Sequence, residues 1–206
     1  MTLYELEKTG GYQIASLLTT VTDEYDRISM HGVRRTLLER QAESLGLPLY
    51  KIYIPKKCAN REYESRMEEA LDRFRKSGVE RVAFGDILLE DMRKYREANL
   101  GKIGMQGLFP IWGRDTRELI RTFIQLGFRA VIVCVDSKVL GKSFAGKFID
   151  DDFLRDLPAS IDPCGENGEF HSFVFDGPIF KEPISVSPGE VIQRDSFYFC
   201  DLTPAS

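Results

Sequence analysis

The sequence predicts an α/β protein: a parallel sheet with helices on both faces, followed by a small C-terminal α+β lobe. Three observations predict it. From Tyr12 to Val135, apolar β-branched segments and helix-period segments alternate four times, the pattern of βαβ units joined by right-handed crossovers. After Asp136 that alternation stops, and short β segments follow one another with loops between them. The 206 residues, 43% hydrophobic and 29% charged, match one compact unit with at most an appended lobe, at about 150 residues per domain. The expected division is residues 1–136 for the α/β unit and 137–206 for the lobe.

Each element follows from a local signal. Leu3, Tyr4 and Leu6 read as the end of an amphipathic helix stopped by Gly10 and Gly11. Tyr12 to Val21 (YQIASLLTTV) reads as a buried strand, and a polar loop runs on to Met30. Val33, Leu37, Leu38, Ala42 and Leu45 recur at helical spacing and stop at Gly46, with Pro48 just beyond. Leu49 to Ile54 alternates as a strand. Asn60 is placed to cap a charged helix with an inner face of Tyr63, Met67, Ala70, Leu71 and Phe74, ended by Gly78. Val82 to Phe84 is a short strand feeding Gly85-Asp86. A charged helix around Leu89 to Glu97, the segment Gly107 to Trp112, and an Asp115-capped helix through Leu126 lead to Ala130 to Val135 (AVIVCV), expected to close the parallel sheet. Beyond it lie a short helix near Asp152 to Leu157 and three β segments, Phe170 to Phe175, Ile184 to Val186 and Val191 to Cys200.

Composition excludes several function classes. The formal charge of −4 does not supply the basic stripe that nucleic-acid binding uses to displace counterions. No apolar run approaches the roughly 18 residues of a membrane span, and MTLYELEKTGG lacks the basic start and apolar centre of a signal peptide. The four cysteines form no CxxC pair, which argues for free thiols in a reducing cytoplasm rather than a zinc knuckle or a disulfide framework.

Motifs narrow the site. Gly141 to Lys147 matches the spacing of a phosphate loop, but Phe148 stands where a magnesium-binding hydroxyl is needed. The two histidines, His31 and His171, belong to no HExxH pair, so no metal site is expected on them. Ser29-Met30-His31-Gly32-Val33-Arg34-Arg35 opens a helix, where amide donors favour an anion; a solvated helix start is the plain alternative. Asp162 to His171 (DPCGENGEFH) packs carboxylates, an amide, a thiol and an imidazole around two glycines, as binding loops do; an acidic turn is its alternative. Gly85-Asp86 at a strand end and Pro110 to Asp115, with the single Trp beside an Arg, complete the set.

These residues resemble the diphthamide synthase (diphthine–ammonia ligase) family, a branch of the PP-loop ATP pyrophosphatases. The matching pieces are LLTTVTDEYDRISMHGVRR, ESLGLPL, VAFGDILLEDMRKYRE, GLFPIWGRDTRELI, LGFRAVIVCVD and CGENGEFHSFVFDGPIF, covering most of residues 3 to 180. The resemblance implies a HUP-type α/β fold in which 1–136 binds nucleotide and 137–206 binds substrate. It implies ATP with Mg2+, activation of a carboxylate as an adenylate, and attack by ammonia to give an amide with release of AMP and pyrophosphate. The acceptor it implies is diphthine on elongation factor 2, with another carboxylate as the alternative. A nucleotide-binding module that has lost catalysis, or a pyrophosphatase acting on a bacterial substrate, is the rival function.

Roles carry over by the same resemblance. Thr19 and Thr20 would read adenine, Gly85 and Asp86 would lie near the phosphates and magnesium, and His31, Gly32 and Arg34 would meet the adenylate. Trp112, Arg114, Gly165, Glu166, Asn167, Gly168, Glu169 and His171 would form the acceptor site, with Glu166, Glu169 and His31 as the catalytic candidates. Two departures stand out. The family's SGGKDS phosphate loop is absent from these 206 residues, which begin at a position aligning just after it. Its absence predicts weak ATP binding by this chain and strands without their sheet neighbour. The acceptor loop reads Glu166-Asn167-Gly168-Glu169-Phe170-His171-Ser172 where diphthamide-making members read EGGEFET. A homodimer is expected from the exposed-strand potential of the C-terminal segments.

Overall fold

A computed structural model describes residues 1–205. Helix α1 (Thr2–Thr9) ends at Gly10, whose φ of +71° and N–H donation to the Leu6 carbonyl form the expected glycine stop. Strand β1 (Leu17–Thr22) is shorter than the apolar run that announced it. It starts at Leu17 because its parallel partner β3 (Leu49–Ile54) offers hydrogen bonds only from there, in the register Leu17↔Leu49 to Thr22↔Ile54. The expected polar loop contains β2 (Arg27–Ile28), antiparallel to the end of β1. Helix α2 (Arg35–Leu45) makes the crossover from β1 to β3.

Helix α3 (Asn60–Lys76) corrects one expectation. Ala59 holds the extended N-cap position and Asn60 is already helical, so the Asn60 side chain caps nothing. Strands β4 (Arg81–Ala83) and β5 (Gln106–Leu108) run parallel with α4 (Glu90–Lys102) between them. Helix α5 (Thr116–Gln125) carries the expected cap: Asp115 Oδ1 accepts from the Glu118 amide at 2.9 Å.

The expected single parallel sheet is divided. Among the described residues β1 and β3 form one parallel pair and β4 and β5 another, with no strand hydrogen-bonded between them. Strand β6 (Arg129–Asp136) belongs to neither. It lies inside an antiparallel sheet with β7 (Phe170–Asp176), β8 (Val186–Arg194) and β9 (Phe197–Pro204), in the order β7-β6-β9-β8. The expectation that Ala130 to Val135 closes the parallel sheet is therefore corrected. A continuous apolar run reports burial on both faces and is silent about the direction of the neighbours.

The last two expected β segments are also redrawn, as a hairpin of β8 (Val186–Arg194) and β9 (Phe197–Pro204). It turns at Asp195 (φ +51°) and has an irregular register between Pro188 and Val191. The short helix α6 (Asp151–Asp156) falls where expected.

The largest core cluster wraps β6, whose Val131, Ile132, Val133 and Val135 are fully buried. Val33 and Leu37, from the start of α2, belong to the same cluster, so the two halves of the chain share one core. A smaller cluster of Ile87, Ile111 and Leu119, with Met1 and Cys164 against it, joins the β4–α4 connection to the later part of the chain.

Candidate functional site

The segment after β4 turns at Gly85-Asp86 before α4 begins. Asp86 faces Arg96 in the second turn of α4, with Nη2···Oδ1 at 3.2 Å and Nε···Oδ2 at 2.7 Å, the closer contact being an ion pair without hydrogen-bond alignment. Arg96 also lies over Phe84, 4.5 Å from its ring centre. Gly85 faces the start of α1, where an added Cβ would stand 3.3 Å from Thr2 Oγ1. The Ile87 carbonyl accepts from Gly113 N–H at 2.8 Å, so the Pro110 to Asp115 turn is fastened to this segment. Beside it, the Arg93 guanidinium lies 4.7 Å from the ring centres of both Phe109 and Trp112. Arg114 points the other way, donating to Glu5 Oε1 of α1 at 2.7 Å.

The loop from Asp162 to Glu169 is organised by its own carboxylates. Glu169 is 7% exposed; its Oε1 accepts from Asp162 N–H at 3.1 Å and Asn167 Nδ2 at 3.0 Å, and its Oε2 from Asn167 N–H at 3.0 Å. Burial alone would raise its pKa, but these donors outweigh burial and hold it below the ordinary Glu value. Asp162 Oδ1 accepts from the amides of Cys164 and Glu166. Gly165 takes φ +70° with the Phe170 carbonyl 2.7 Å from where a Cβ would sit, so only glycine fits that turn. Glu166 reaches outward, its Oε1 accepting from Ile87 N–H at 2.7 Å and Leu88 N–H at 3.0 Å. This one side chain joins the loop to the end of β4. Cys164 lies here too, its thiol pushed up to about 12 by burial first and then by Asp162, Glu166 and Asp115. It is a neutral thiol at pH 7 rather than a nucleophile.

A second meeting point lies on β7 and β9. His31 and His171 stack with ring centres 4.5 Å apart and planes at 27°. Burial, then the neighbouring His171, lowers His31 to about 4, against a smaller upward pull from a hydrogen bond to the Ser172 backbone; burial lowers His171 as well. Gly32, at φ +70°, lies against Phe199, and Arg34 makes a two-pronged pair with Asp201, Nε–Oδ1 at 3.1 Å and Nη2–Oδ2 at 2.6 Å. Arg27 adds a third bond to Asp201 at 2.9 Å and donates to the Gly32 carbonyl at 2.7 Å.

The structure thus joins the acceptor loop, through Glu166, to the segment that follows Gly85-Asp86, and fastens the turn carrying Trp112 to the same segment; Gly165, Asn167 and Glu169 stay within the loop. It brings His31, Gly32, Arg34 and His171 together at the junction of α2 with the antiparallel sheet. Gly168 is half-buried and follows Asn167, the exposed residue of the acceptor loop. Thr19 and Thr20 lie in β1 between Leu18 and Val21, paired with Lys51 and Ile52, and Thr20 O accepts from Ser29 N–H. Sequence reasoning missed Arg27, Asp201, Arg93 and the Ile87 and Leu88 amides. Asp201 lies 167 residues from Arg34, and backbone donors carry no residue-type signature.

Residues 1–107 match the model of the diphthamide synthase N-terminal domain, and residues 115–205 that of the diphthamide synthase C-terminal domain. A human protein named diphthine–ammonia ligase is 30% identical over 216 residues, covering 94% of this chain and 80% of the relative. Its cattle counterpart is 29% identical with the same coverage. A fission yeast protein of the same name is 28% identical over 196 residues, and there the chain spans only 32% of the relative's length. By two adjoining family matches that between them take in the strand-end segment and the acceptor loop, the chain belongs to the diphthamide synthase family.

Proposed function

We propose that this chain carries the catalytic fold of an ATP-dependent amide-forming ligase of the diphthine–ammonia ligase type. In the reaction the acceptor carboxylate attacks the α-phosphorus of ATP, displacing pyrophosphate and forming a mixed anhydride with AMP. Ammonia then attacks the acyl carbon, AMP leaves, and the extra proton passes to solvent. The observation that carries the reading is the convergence of the β4 end, Gly85 to Leu88, with the Asp162–Glu169 loop, in a chain whose relatives bear that enzyme's name.

A carboxylate activated as its adenylate needs no enzyme nucleophile, which accords with a neutral Cys164. Among the described residues no group of three or more His, Cys, Asp or Glu is gathered to hold a metal. Magnesium would therefore be held mainly by the nucleotide phosphates, as is usual for this ion, with Asp86 as the carboxylate at the strand end. Asp86 fits that role only once its pair with Arg96 opens. In the acceptor loop Asn167 stands at a glycine position of the diphthamide-making pattern, and its side chain is committed to Glu169.

The test is incubation of the chain with Mg-ATP, ammonium and elongation factor 2 carrying diphthine. The expected products are AMP and pyrophosphate in equal amounts, with the acceptor's mass changing by replacement of hydroxyl with amine. ADP and phosphate, or AMP released without any amide, would overturn the proposal.

A further inference from the structure

We infer that Glu166 is a positioning residue, a clasp that sets the acceptor loop against the end of β4 through backbone amides, and that its charge takes no part in bond making. The inference deepens the proposed amidation and rests on it for its kinetic consequence.

The geometry carries the argument. The loop's internal hydrogen bonds do not use the Glu166 side chain: Glu169 and Asp162 together take five donors from within residues 162–169. Glu166 contributes no acceptor to that network. Its Oε1 is spent on two successive amides, Ile87 and Leu88, 79 and 78 residues away. Those amides precede α4 and lie outside its hydrogen-bond ladder, so without Glu166 they have no partner from their own helix. The contact is therefore the polar half of an attachment whose apolar half is Ile87 and Ile111 packed with Cys164. Releasing it would let the Gly85-Asp86 turn and the acceptor loop move relative to each other. Reactions that depend on holding two bound partners in line are sensitive to such small displacements.

One oxygen accepting two amides has a direct consequence. An amide oxygen at the same place can do the same work, so Glu166→Gln should restore what Glu166→Ala loses. A carboxylate acting as a base or charge stabiliser could not be replaced in this way.

The experiment compares the 206-residue chain with its E166Q and E166A variants by amide hydrogen exchange and by AMP release. In E166A the Ile87 and Leu88 amides are expected to exchange about tenfold faster, the effect of losing one net hydrogen bond, with AMP release falling by a similar factor. E166Q is expected to recover most of both losses. Loss of AMP release in E166Q while the two amides stay protected would overturn the inference in favour of a chemical role. Unchanged exchange in E166A would overturn it outright. A wild-type chain that releases no AMP would count against the proposed function, while the exchange comparison would still decide the clasp.

Discussion

His31 and His171 are the only histidines of the chain, and they face each other inside it. Neutral imidazoles stack well; protonated ones repel, and burial adds a desolvation penalty. His31 ionises in the folded protein near pH 4, below its ordinary value, so folding favours its neutral form. That stability is fully present above about pH 6.5 and is lost as the pH falls toward 4, for a difference of about 3 kcal/mol. A His31→Phe variant, which keeps a ring but cannot charge, is expected to flatten that part of the pH dependence in urea titrations at pH 7, 5.5 and 4. Depressed carboxylates such as Asp201 lose stability over an overlapping range, so the informative quantity is the difference between variant and wild type. Gly32 is a second residue-scale test. An alanine there combines φ +70° with a Cβ 2.8 Å from Phe199, and is expected to cost about 1–3 kcal/mol by the same titration.

Among elements, β6 and β4 stand at opposite ends of a stability scale. β6 is paired on both sides and carries Val131, Ile132 and Val133 at 0% exposure. Ile132→Ala is expected to cost about 2–5 kcal/mol in chemical denaturation, since little around it can collapse into the space. β4 is three residues long, has one hydrogen-bonded neighbour, and leaves Arg81 and Ala83 exposed. Its amides are expected to exchange much faster than those of β6, because small paired segments open locally without global unfolding. The sequence made both strands legible, and the difference in length with them, three apolar residues against six, but not the number of strands each would pair with. Pairing partners are a property of the sheet rather than of the apolar run.

For the whole molecule, among the described residues β4 and Leu17–Thr19 of β1 are paired with a strand on one side only. Arg34, the cation expected at the adenylate, is already engaged with Asp201, which also holds Arg27; Arg114, expected at the acceptor site, pairs with Glu5, and Arg96 pairs with Asp86. With no SGGKDS among its residues, the 206-residue chain is expected to bind Mg-ATP weakly in titration calorimetry. Tight binding would show that the strand-end amides and these arginines suffice. Among the described residues no helix is long and apolar enough to cross a membrane.

Element boundaries such as α2 ending at Gly46, β3 over Leu49–Ile54 and the Asp115 cap were fixed locally, because periodicity, glycine stops and capping side chains act within a few residues. The family was equally readable, since its motifs are short contiguous strings. Contacts between distant segments decided the rest. The direction of β6, the split of the parallel strands into two pairs, the stacking of His31 on His171, and the reach of Glu166 to Ile87 and Leu88 each join positions far apart in the chain. A residue's type states what it can bond; only the folded chain sets which partner lies within bonding distance.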